Sequence, residues 1–254
     1  MNLTNKGFTL IETLVALAIL GVLLVALLQT ISGTAQVSTS ANSGNELLRE
    51  GQIAQQILSS RFKEACYVYP SGTTITMGTG STTENTLGTA TNNWVVNTDP
   101  IVAMILPPNA RDIDVNAGAF YRFFAYYAVK RSSFLAMGAV SSSDKPSADA
   151  NNDNSVWVIM EFRTNLTAFP SGGTARCSTM AAINFTGSGS KGRMLIDYVS
   201  PANPVNSLFT VSATAVSYNL QLQRQTQQGN VIRVGQDPAS SNLRGVIYPI
   251  NLGL

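Results

Sequence analysis

The stretch MNLTNKGFTLIETLVALAILGVLLVALL, residues 1–28, decides the fold of this chain, because a short polar leader is followed by a long apolar run. The leader carries Lys6 and ends at Gly7, and the apolar run begins at Phe8. About 20 apolar residues, in a helix that rises about 1.5 Å per residue, are enough to cross a hydrocarbon core of about 30 Å. The sequence therefore predicts one membrane-spanning helix near the amino terminus.

One carboxylate, Glu12, lies near the start of the apolar run, which then continues unbroken from Leu14 to Leu28. A charged side chain within a membrane span costs about 2.5–3.5 kcal/mol on insertion scales, so a partner or a function is expected for it. The combination of leader, helix and carboxylate indicates assembly rather than simple anchoring.

The segment GFTLIE, residues 7–12, followed by the apolar helix, resembles the amino terminus of type IV pilins and type II secretion pseudopilins. The resemblance implies that a prepilin peptidase cuts between Gly7 and Phe8 and methylates the new amine of Phe8. It also implies that Glu12 pairs with the amino terminus of a neighbouring subunit. The implied partners are other pilin subunits in a helical filament, the prepilin peptidase and the inner-membrane assembly platform.

Three plainer interpretations compete with this resemblance. An ordinary secretory signal has a shorter apolar core with a small-residue cleavage site after it, whereas here the triplet at residues 16–18 lies inside the run. A plain single-span anchor needs neither Glu12 nor the junction between Gly7 and Phe8. A lone glutamate can also occur by chance in an apolar helix and extend towards the membrane surface.

The composition argues against catalysis and against a strongly charged partner. Only 12% of the 254 residues are charged and the formal net charge is +2, so no large field favours nucleic acid or anionic lipid as the main partner. The chain has no histidine, which removes the commonest general base and metal ligand. Without histidine, acid–base catalysis would depend on carboxylates, and the spacing of the candidates along the chain does not favour a catalytic pair. These candidates are Asp112, Asp114, Glu161 and Asp197. The sequence predicts that the protein is not an enzyme.

The compartment follows from the charges and cysteines around the span. Lys6 on the leader side places the leader in the cytoplasm by the positive-inside rule. The remainder of the chain then faces the periplasm of a bacterium as a single-pass inner-membrane protein, before it reaches a cell-surface pilus. If the domain lies outside the cytoplasm, Cys66 and Cys177 form one disulfide, and the alternative is a pair of buried free thiols.

The helix is expected to continue beyond the membrane. Apolar positions recur at helical spacing up to Phe62, and proline does not occur before Pro70. Between the two apolar parts, residues 29–45 are rich in Ser, Thr, Gly and Asn, which are poor helix formers. This stretch is interpreted as a frayed or bent portion of one long helix.

After Pro70 the pattern changes to short β-branched and aromatic runs separated by turn residues. A loop or loose hairpin is expected at residues 71–93. The predicted strands are Trp94–Val96, Ile101–Leu106, Phe120–Val129, Val156–Phe162, Met194–Val199, Leu208–Leu222, Val231–Val234 and Gly245–Ile250. The predicted fold is α+β, with the second half of the helix packed on a mainly antiparallel sheet. The expected segments are a leader (1–7), an assembly helix (8–28), its continuation (29–66) and a β-rich domain (67–254).

A weak calcium-loop pattern occurs at residues 149–155, where oxygen-bearing side chains stand at every second position. The candidate ligands are Asp149, Asn151 and Asp153, which match the opening of a calcium loop. The turn glycine of such a loop is replaced by Asn154, however, and the twelfth position is Met160. The alternative is a solvated Asn/Asp turn between two strands, and no cofactor other than this candidate Ca²⁺ is expected.

Aromatic residues cluster at 120–127 and are followed by Lys130 and Arg131. Aromatic faces next to basic groups could stack the bases of single-stranded DNA. The alternative is a core strand whose alternate residues pack under the helix. Several basic residues are scattered along the sequence, and only folding could gather them into a patch; these are Lys63, Arg111, Arg131, Arg163 and Arg193.

The expected function is that of a structural, minor pilin-like subunit of a type IV pilus, supporting assembly and functions such as twitching motility, adhesion or DNA uptake in competence. The first alternative is a minor pseudopilin of a type II secretion system, which shares the same amino-terminal machinery. The second alternative is a tip pilin whose β domain binds DNA or a surface.

Overall fold

The structure is a computed structural model, and it describes residues 9–78, 81–87, 91–107, 121–138, 140–166, 177, 192–200, 205–235 and 243–249. The chain divides into two compact units, residues 1–43 and 44–254. The first unit is helical wherever it is described beyond Thr9, and the second contains the β-sheets.

A long helix, α1, spans Leu10–Glu64. The Ser/Thr-rich stretch from 29 to 45, interpreted from its composition as frayed or bent, is helical in the structure. Within it, the hydroxyls of Thr30, Thr34 and Thr39 each donate to the backbone carbonyl four residues earlier at 2.9 Å. These bonds satisfy the hydroxyl groups inside the helix, so their competition with the backbone does not end it.

Within the described residues, a second short helix and twelve strands follow α1. The helix α2 spans Arg131–Ala136, and three short 3₁₀ helices span Ser81–Thr83, Ser142–Asp144 and Val205–Leu208. The strands are β1 Tyr67–Val68, β2 Thr74–Thr76, β3 Asn93–Val95, β4 Ile101–Leu106, β5 Tyr121–Lys130, β6 Trp157–Leu166, β7 Arg193–Val199, β8 Phe209–Val211, β9 Val216–Asn219, β10 Leu222–Gln225, β11 Val231–Val234 and β12 Arg244–Ile247.

The strands form three antiparallel sheets. The main sheet has the order β1-β4-β5-β6-β7-β10-β11, so its seven strands lie side by side in the same order as they follow one another along the chain. A second sheet has the order β12-β9-β8, and β2 pairs with β3 in the third. The longest ladder joins β5 to β6, from Tyr121 opposite Leu166 to Lys130 opposite Trp157.

The core lies on both faces of β5. On one face, Phe62 of α1 packs edge-on against Tyr126, with ring centroids 6.1 Å apart. On the other face, the ring of Trp94 in β3 packs against that of Tyr127, with ring centroids 4.9 Å apart. Because both faces are covered, every residue of β4 and most of β5 are buried. The second half of α1 contributes its own stripe of buried residues to this core, Leu47, Gly51, Ala54, Leu58 and Phe62. The predicted α+β architecture is confirmed.

The strand predictions were accurate in the core and poorer in the outer part of the domain. The runs predicted at Ile101–Leu106 and Val231–Val234 have the observed bounds. The run at Leu208–Leu222, whose length suggested a long hairpin arm or one twisted strand, contains the β8–β9 hairpin, because the backbone turns between Ser212 and Ala215. The hydroxyl of Ser212 stabilises this turn by donating to the carbonyl of Ala215 at 3.0 Å.

Candidate functional site: the amino-terminal assembly helix

The first turn of α1 carries the conspicuous carboxylate of the apolar segment. Thr9 immediately precedes the helix and Glu12 is its third residue. The backbone N–H and the hydroxyl of Thr9 both donate to Oε2 of Glu12, at 3.0 and 3.1 Å. The backbone N–H of Glu12 in turn donates to the Thr9 hydroxyl oxygen at 3.4 Å. This reciprocal pattern is a capping box, which satisfies amide groups that the first helical turn leaves unpaired.

The capping box gives Glu12 a local role that the sequence interpretation missed. The signal was present, because Thr9 and Glu12 have the Ser/Thr-x-x-Glu spacing of a helix start. Oε2 is used within the chain, whereas no described residue is hydrogen-bonded to Oε1. Glu12 can therefore hold its own helix start and still offer an oxygen to a cation. Gly7 and Phe8, the predicted cleavage junction, lie outside the described residues.

The helix behind Glu12 presents apolar side chains all around its circumference. Every leucine, isoleucine and valine from Leu10 to Leu28 is at least 52% exposed. This is the one segment, among the residues that the structure describes, that is long and apolar enough to cross a membrane. A helix that is apolar and exposed all round requires lipid or other helices around it. The segment fits a single-pass membrane anchor.

Cys66 and Cys177 are joined by a disulfide in the globular unit, with their α carbons 5.8 Å apart. Both residues are buried, and the backbone N–H of Cys66 donates to the carbonyl of Ile105 in β4 at 2.9 Å. The bond therefore ties the end of α1 and the edge of the main sheet to a residue 111 positions further along the chain. With both sulfurs bonded, neither cysteine is available as a nucleophile.

The candidate calcium loop is held by hydrogen bonds within the protein. The carboxylate of Asp153 pairs with Arg131 and accepts the backbone N–H of Asp149. Oδ2 of Asp149 accepts from the hydroxyl of Tyr198 at 3.0 Å and from Asn152 at 2.9 Å. The third candidate, Asn151, points its amide at the Thr226 carbonyl at 3.5 Å. These contacts give the oxygen-rich spacing a structural role.

Asn152, which was not singled out from the sequence, fixes this loop to the sheet. It is 1% exposed, and its amide donates to the carbonyl of Gln225 at 2.9 Å while its side-chain oxygen accepts the Gln225 N–H at 2.7 Å. The pair of bonds imitates one step of a β-ladder. Asn152 therefore docks the loop on the sheet, while Asn151, Asn154 and Ser155 remain exposed to solvent.

Arg131 lies at the centre of a buried charge network. Its Nε donates to both oxygens of Asp197, and its terminal nitrogens bind Asp153 and the carbonyl of Ser147. Next to Asp197, Tyr198 has a φ of +57°, a conformation that is rare for a bulky residue. Burial raises the pKa of Tyr198 to about 12. The network joins β7, α2 and the loop before β6, and it has the character of a structural clamp.

The aromatic strand forms part of the core. The rings of Phe123, Phe124, Tyr126 and Tyr127 are at most 3% exposed, so they cannot stack bases, and this part of the nucleic-acid interpretation is wrong. Burial raises the pKa of Tyr126, and the neighbouring carboxylate of Glu161, which accepts its hydroxyl at 2.9 Å, raises it further. Burial also raises the pKa of Tyr127, whose hydroxyl donates to the Thr82 carbonyl at 2.7 Å.

The remaining candidates are separated by the fold. Asp197 and Glu161 are held by Arg131 and Tyr126, and no shared acid–base pair forms between them. Asp112, Asp114 and Arg111 lie outside the described residues. Lys63 is exposed on α1, while Arg163 and Arg193 are exposed on adjacent strands of the main sheet.

The exposed apolar helix places the chain among proteins with a single-pass membrane anchor near the amino terminus. Residues 3–28 match a family model described as the prokaryotic N-terminal methylation motif. This motif is the prepilin-type leader of type IV pilins and pseudopilins, and the chain is identified by it as carrying a pilin-type amino terminus. No curated protein and no solved structure matches the chain.

Proposed function

We propose that this protein is a minor pilin-like structural subunit of a type IV pilus. The observation that carries the proposal is the prokaryotic N-terminal methylation motif on a helix whose leucine, isoleucine and valine side chains from Leu10 to Leu28 are all exposed. In a filament, bundling of such helices removes their apolar surface from lipid and water. The globular domain, with three sheets and a disulfide, would cap, prime or decorate the filament.

The proposed mechanism begins with cleavage between Gly7 and Phe8 by the prepilin peptidase, followed by methylation of the Phe8 amine. Glu12 then pairs with the amine of a neighbouring subunit and fixes the axial register. A carboxylate in an apolar bundle is costly without a partner, so subunits in the wrong register are disfavoured. The disulfide between Cys66 and Cys177 supports placing the globular domain in the oxidising periplasm.

Intact-mass measurement and amino-terminal sequencing of the protein from membranes and from sheared surface filaments test the processing step. We expect a chain that starts at N-methylated Phe8 and is two hydrogens lighter than the fully reduced form. A chain that starts at Met1 in every fraction would reduce the proposal to a simple membrane anchor. Normal processing of a Gly7→Ala variant would show that the cleavage site is misplaced.

The role of the Glu12 charge can be separated from its role in the capping box. Glu12→Gln keeps a side-chain oxygen for the N–H of Thr9 but removes the charge, whereas Thr9→Val keeps the charge and removes the hydroxyl from the cap. We expect Glu12→Gln to reduce entry into filaments by about tenfold or more, because losing one partner of a buried charge pair costs on the order of 2–5 kcal/mol. The matched control, Thr9→Val, should assemble nearly as the wild type does. Equal assembly of Glu12→Gln and wild type would exclude the charge-register mechanism.

The same amino terminus suits a second candidate, a minor pseudopilin of a type II secretion system, because both assemblies use a prepilin-type leader. The recovery of the protein in sheared surface filaments discriminates between them, since a pseudopilus is short. Its presence there favours the pilus, and its retention in the envelope, with loss of exoprotein export on deletion, favours the pseudopilus.

A further inference from the structure

Three arginines from three different elements line one cavity on the globular unit. Arg61 comes from α1, Arg122 from β5 and Arg163 from β6. The cavity has a volume of about 560 Å³, and we name it the arginine groove. Its remaining lining residues are Phe124, Thr164 and Asn165.

The strand register explains why distant arginines meet here. Phe124 lies directly opposite Arg163 and Arg122 lies opposite Asn165 in the ladder between β5 and β6. Residues directly opposite, and residues two apart on one strand, share a face of the sheet. Arg61 reaches this face from the helix, and its guanidinium lies 5.0 Å from the centroid of the Phe124 ring. The groove is therefore built by the main sheet together with the end of α1.

Among the described residues that line the groove, three are arginines and none is a carboxylate. The side chain of Arg163 is exposed and has no hydrogen bond or ion pair with another described residue. Arg61 has a surface ion pair with Glu64 at 3.4 Å, and Arg122 donates to the carbonyl of Pro107 at 3.3 Å. One step further along the ladder, Glu161 lies between Tyr126 and Arg193. An exposed ion pair of this kind is weak, so the pairing of Arg61 with Glu64 leaves the guanidinium able to bind another carboxylate.

The three guanidinium groups that line the groove donate hydrogen bonds and cannot accept them. Each guanidinium offers a planar fork that matches the two oxygens of a carboxylate, and Asn165, opposite Arg122, adds an amide that can also donate. We propose that the arginine groove is a docking site for the carboxylate side chains of an acidic segment on another protein chain. This inference concerns the globular domain and does not depend on assembly through the amino-terminal helix.

The shape of the groove favours an acidic protein segment over a nucleic acid. Single-stranded nucleic acid binds by stacking its bases on exposed aromatic rings. The ring in the groove, Phe124, is 3% exposed and covered by Arg61, and Tyr126 next to it is fully buried. Duplex binding needs a long track of phosphate contacts, whereas this cavity is local and the net charge of the chain is only +2.

The test uses the full-length chain in micelles of an uncharged detergent at low salt. The probe is a fluorescent octaglutamate peptide, and binding is measured by anisotropy against an octaglutamine peptide. Arg163→Gln removes one exposed charge from the groove. Arg233→Gln is the matched control, because Arg233 is also exposed on a strand of the main sheet but lies on β11, away from the groove. Arg122→Gln is a second variant within the groove.

We expect octaglutamate to bind and octaglutamine not to bind. Arg163→Gln and Arg122→Gln should each weaken octaglutamate binding by about five- to tenfold, since a charge-assisted contact to a carboxylate contributes on the order of 1–1.5 kcal/mol at an exposed site. Arg233→Gln should change the dissociation constant for octaglutamate by no more than about twofold, because this charge lies away from the groove. Equal weakening by all three variants, or no binding, would overturn the proposal. Tighter, groove-dependent binding of oligothymidylate or polyphosphate would also overturn it, in favour of a phosphate site.

Discussion

The Nε of Arg131 donates to both carboxylate oxygens of Asp197, at 2.9 and 3.1 Å, although Arg131 is only 1% exposed. Asp153 and the carbonyl of Ser147 bind the other end of the same guanidinium. Removing one member of a buried group made of a cation and two carboxylates strongly destabilises a fold, because the remaining members stay charged without a partner. The stability of the domain around β7 therefore depends on this one side chain.

Replacing Arg131 by alanine should lower the free energy of unfolding of the globular unit by about 3–5 kcal/mol, because Asp153 and Asp197 would lose their shared cation. The measurement is urea unfolding followed by tryptophan fluorescence. Arg224→Ala is the control, since Arg224 forms a surface ion pair with Glu46 at 3.2 Å and should contribute about 0–1 kcal/mol. Equal losses in the two variants would show that the buried network has no special role.

Glu50 should make the stability of the fold dependent on pH. Partial burial raises the pKa of Glu50 above its ordinary value of 4.5, the charges of Glu46 and Asp197 raise it further, and Arg224 opposes them. The folded state then binds more protons than the unfolded state between the two pKa values, so stability falls as the pH rises through that interval. Glu50→Gln should therefore raise the urea midpoint at neutral pH.

The same substitution should have little effect at a pH about one unit below 4.5, where Glu50 is mostly protonated in both folded and unfolded chains. Asp144→Asn, which removes an exposed carboxylate from a short 3₁₀ helix, is the control and should leave both midpoints unchanged. A stabilisation by Glu50→Gln that is equal at the two pH values would contradict this explanation.

Gly245 should not tolerate a side chain. It lies opposite Tyr218 in the ladder between β12 and β9, and a Cβ at this position would lie 2.5 Å from the Tyr218 ring. Gly245→Ala should destabilise the globular unit by about 1–3 kcal/mol, because the ring must move within a packed sheet. Gly138→Ala is the control, since a Cβ there meets no atom within 4 Å. Equal thermal unfolding midpoints for Gly245→Ala and Gly138→Ala would refute the prediction.

Reduction of the disulfide between Cys66 and Cys177 should lower stability by about 4–5 kcal/mol in the chain-entropy model, because the bond closes a loop of about 110 residues. Urea unfolding with and without a thiol reductant measures this difference, and a Cys66→Ser/Cys177→Ser double variant provides an independent comparison. The double variant should resemble the reduced wild type and be insensitive to reductant. An unchanged urea midpoint after complete reduction would contradict the prediction.

The amino-terminal helix could be read from the sequence because its determinants are local. The apolar length from Leu14 to Leu28 and the Thr9–Glu12 spacing at the helix start are properties of neighbouring residues. The core strands β4 and β5 could be predicted for the same reason, since continuous β-branched and aromatic runs suit a strand buried on both faces.

The outer part of the domain was harder to predict because its strands are short and their ends are set by partners far away. Val211 closes β8 by exchanging two hydrogen bonds of 2.8 Å with the side chain of Asn97, which is 114 residues earlier. The loop at residues 149–155 shows the same limit. Its alternating oxygen-bearing side chains matched the opening of a Ca²⁺ loop. In the structure the carboxylate of Asp153 pairs with Arg131, and that of Asp149 accepts hydrogen bonds from Tyr198 and from Asn152 within the loop.

The apolar helix with its glutamate and the series of short strands in an antiparallel domain follow from the order of the residues, because helix period, strand period and membrane length are local quantities. Which charged side chains meet depends on the three-dimensional packing of the domain. Arg131 reaches Asp197 across 66 residues, and Arg61, Arg122 and Arg163 gather around one groove through the β5–β6 register. Such contacts depend on which strands become neighbours, and that is set by burial of the whole core.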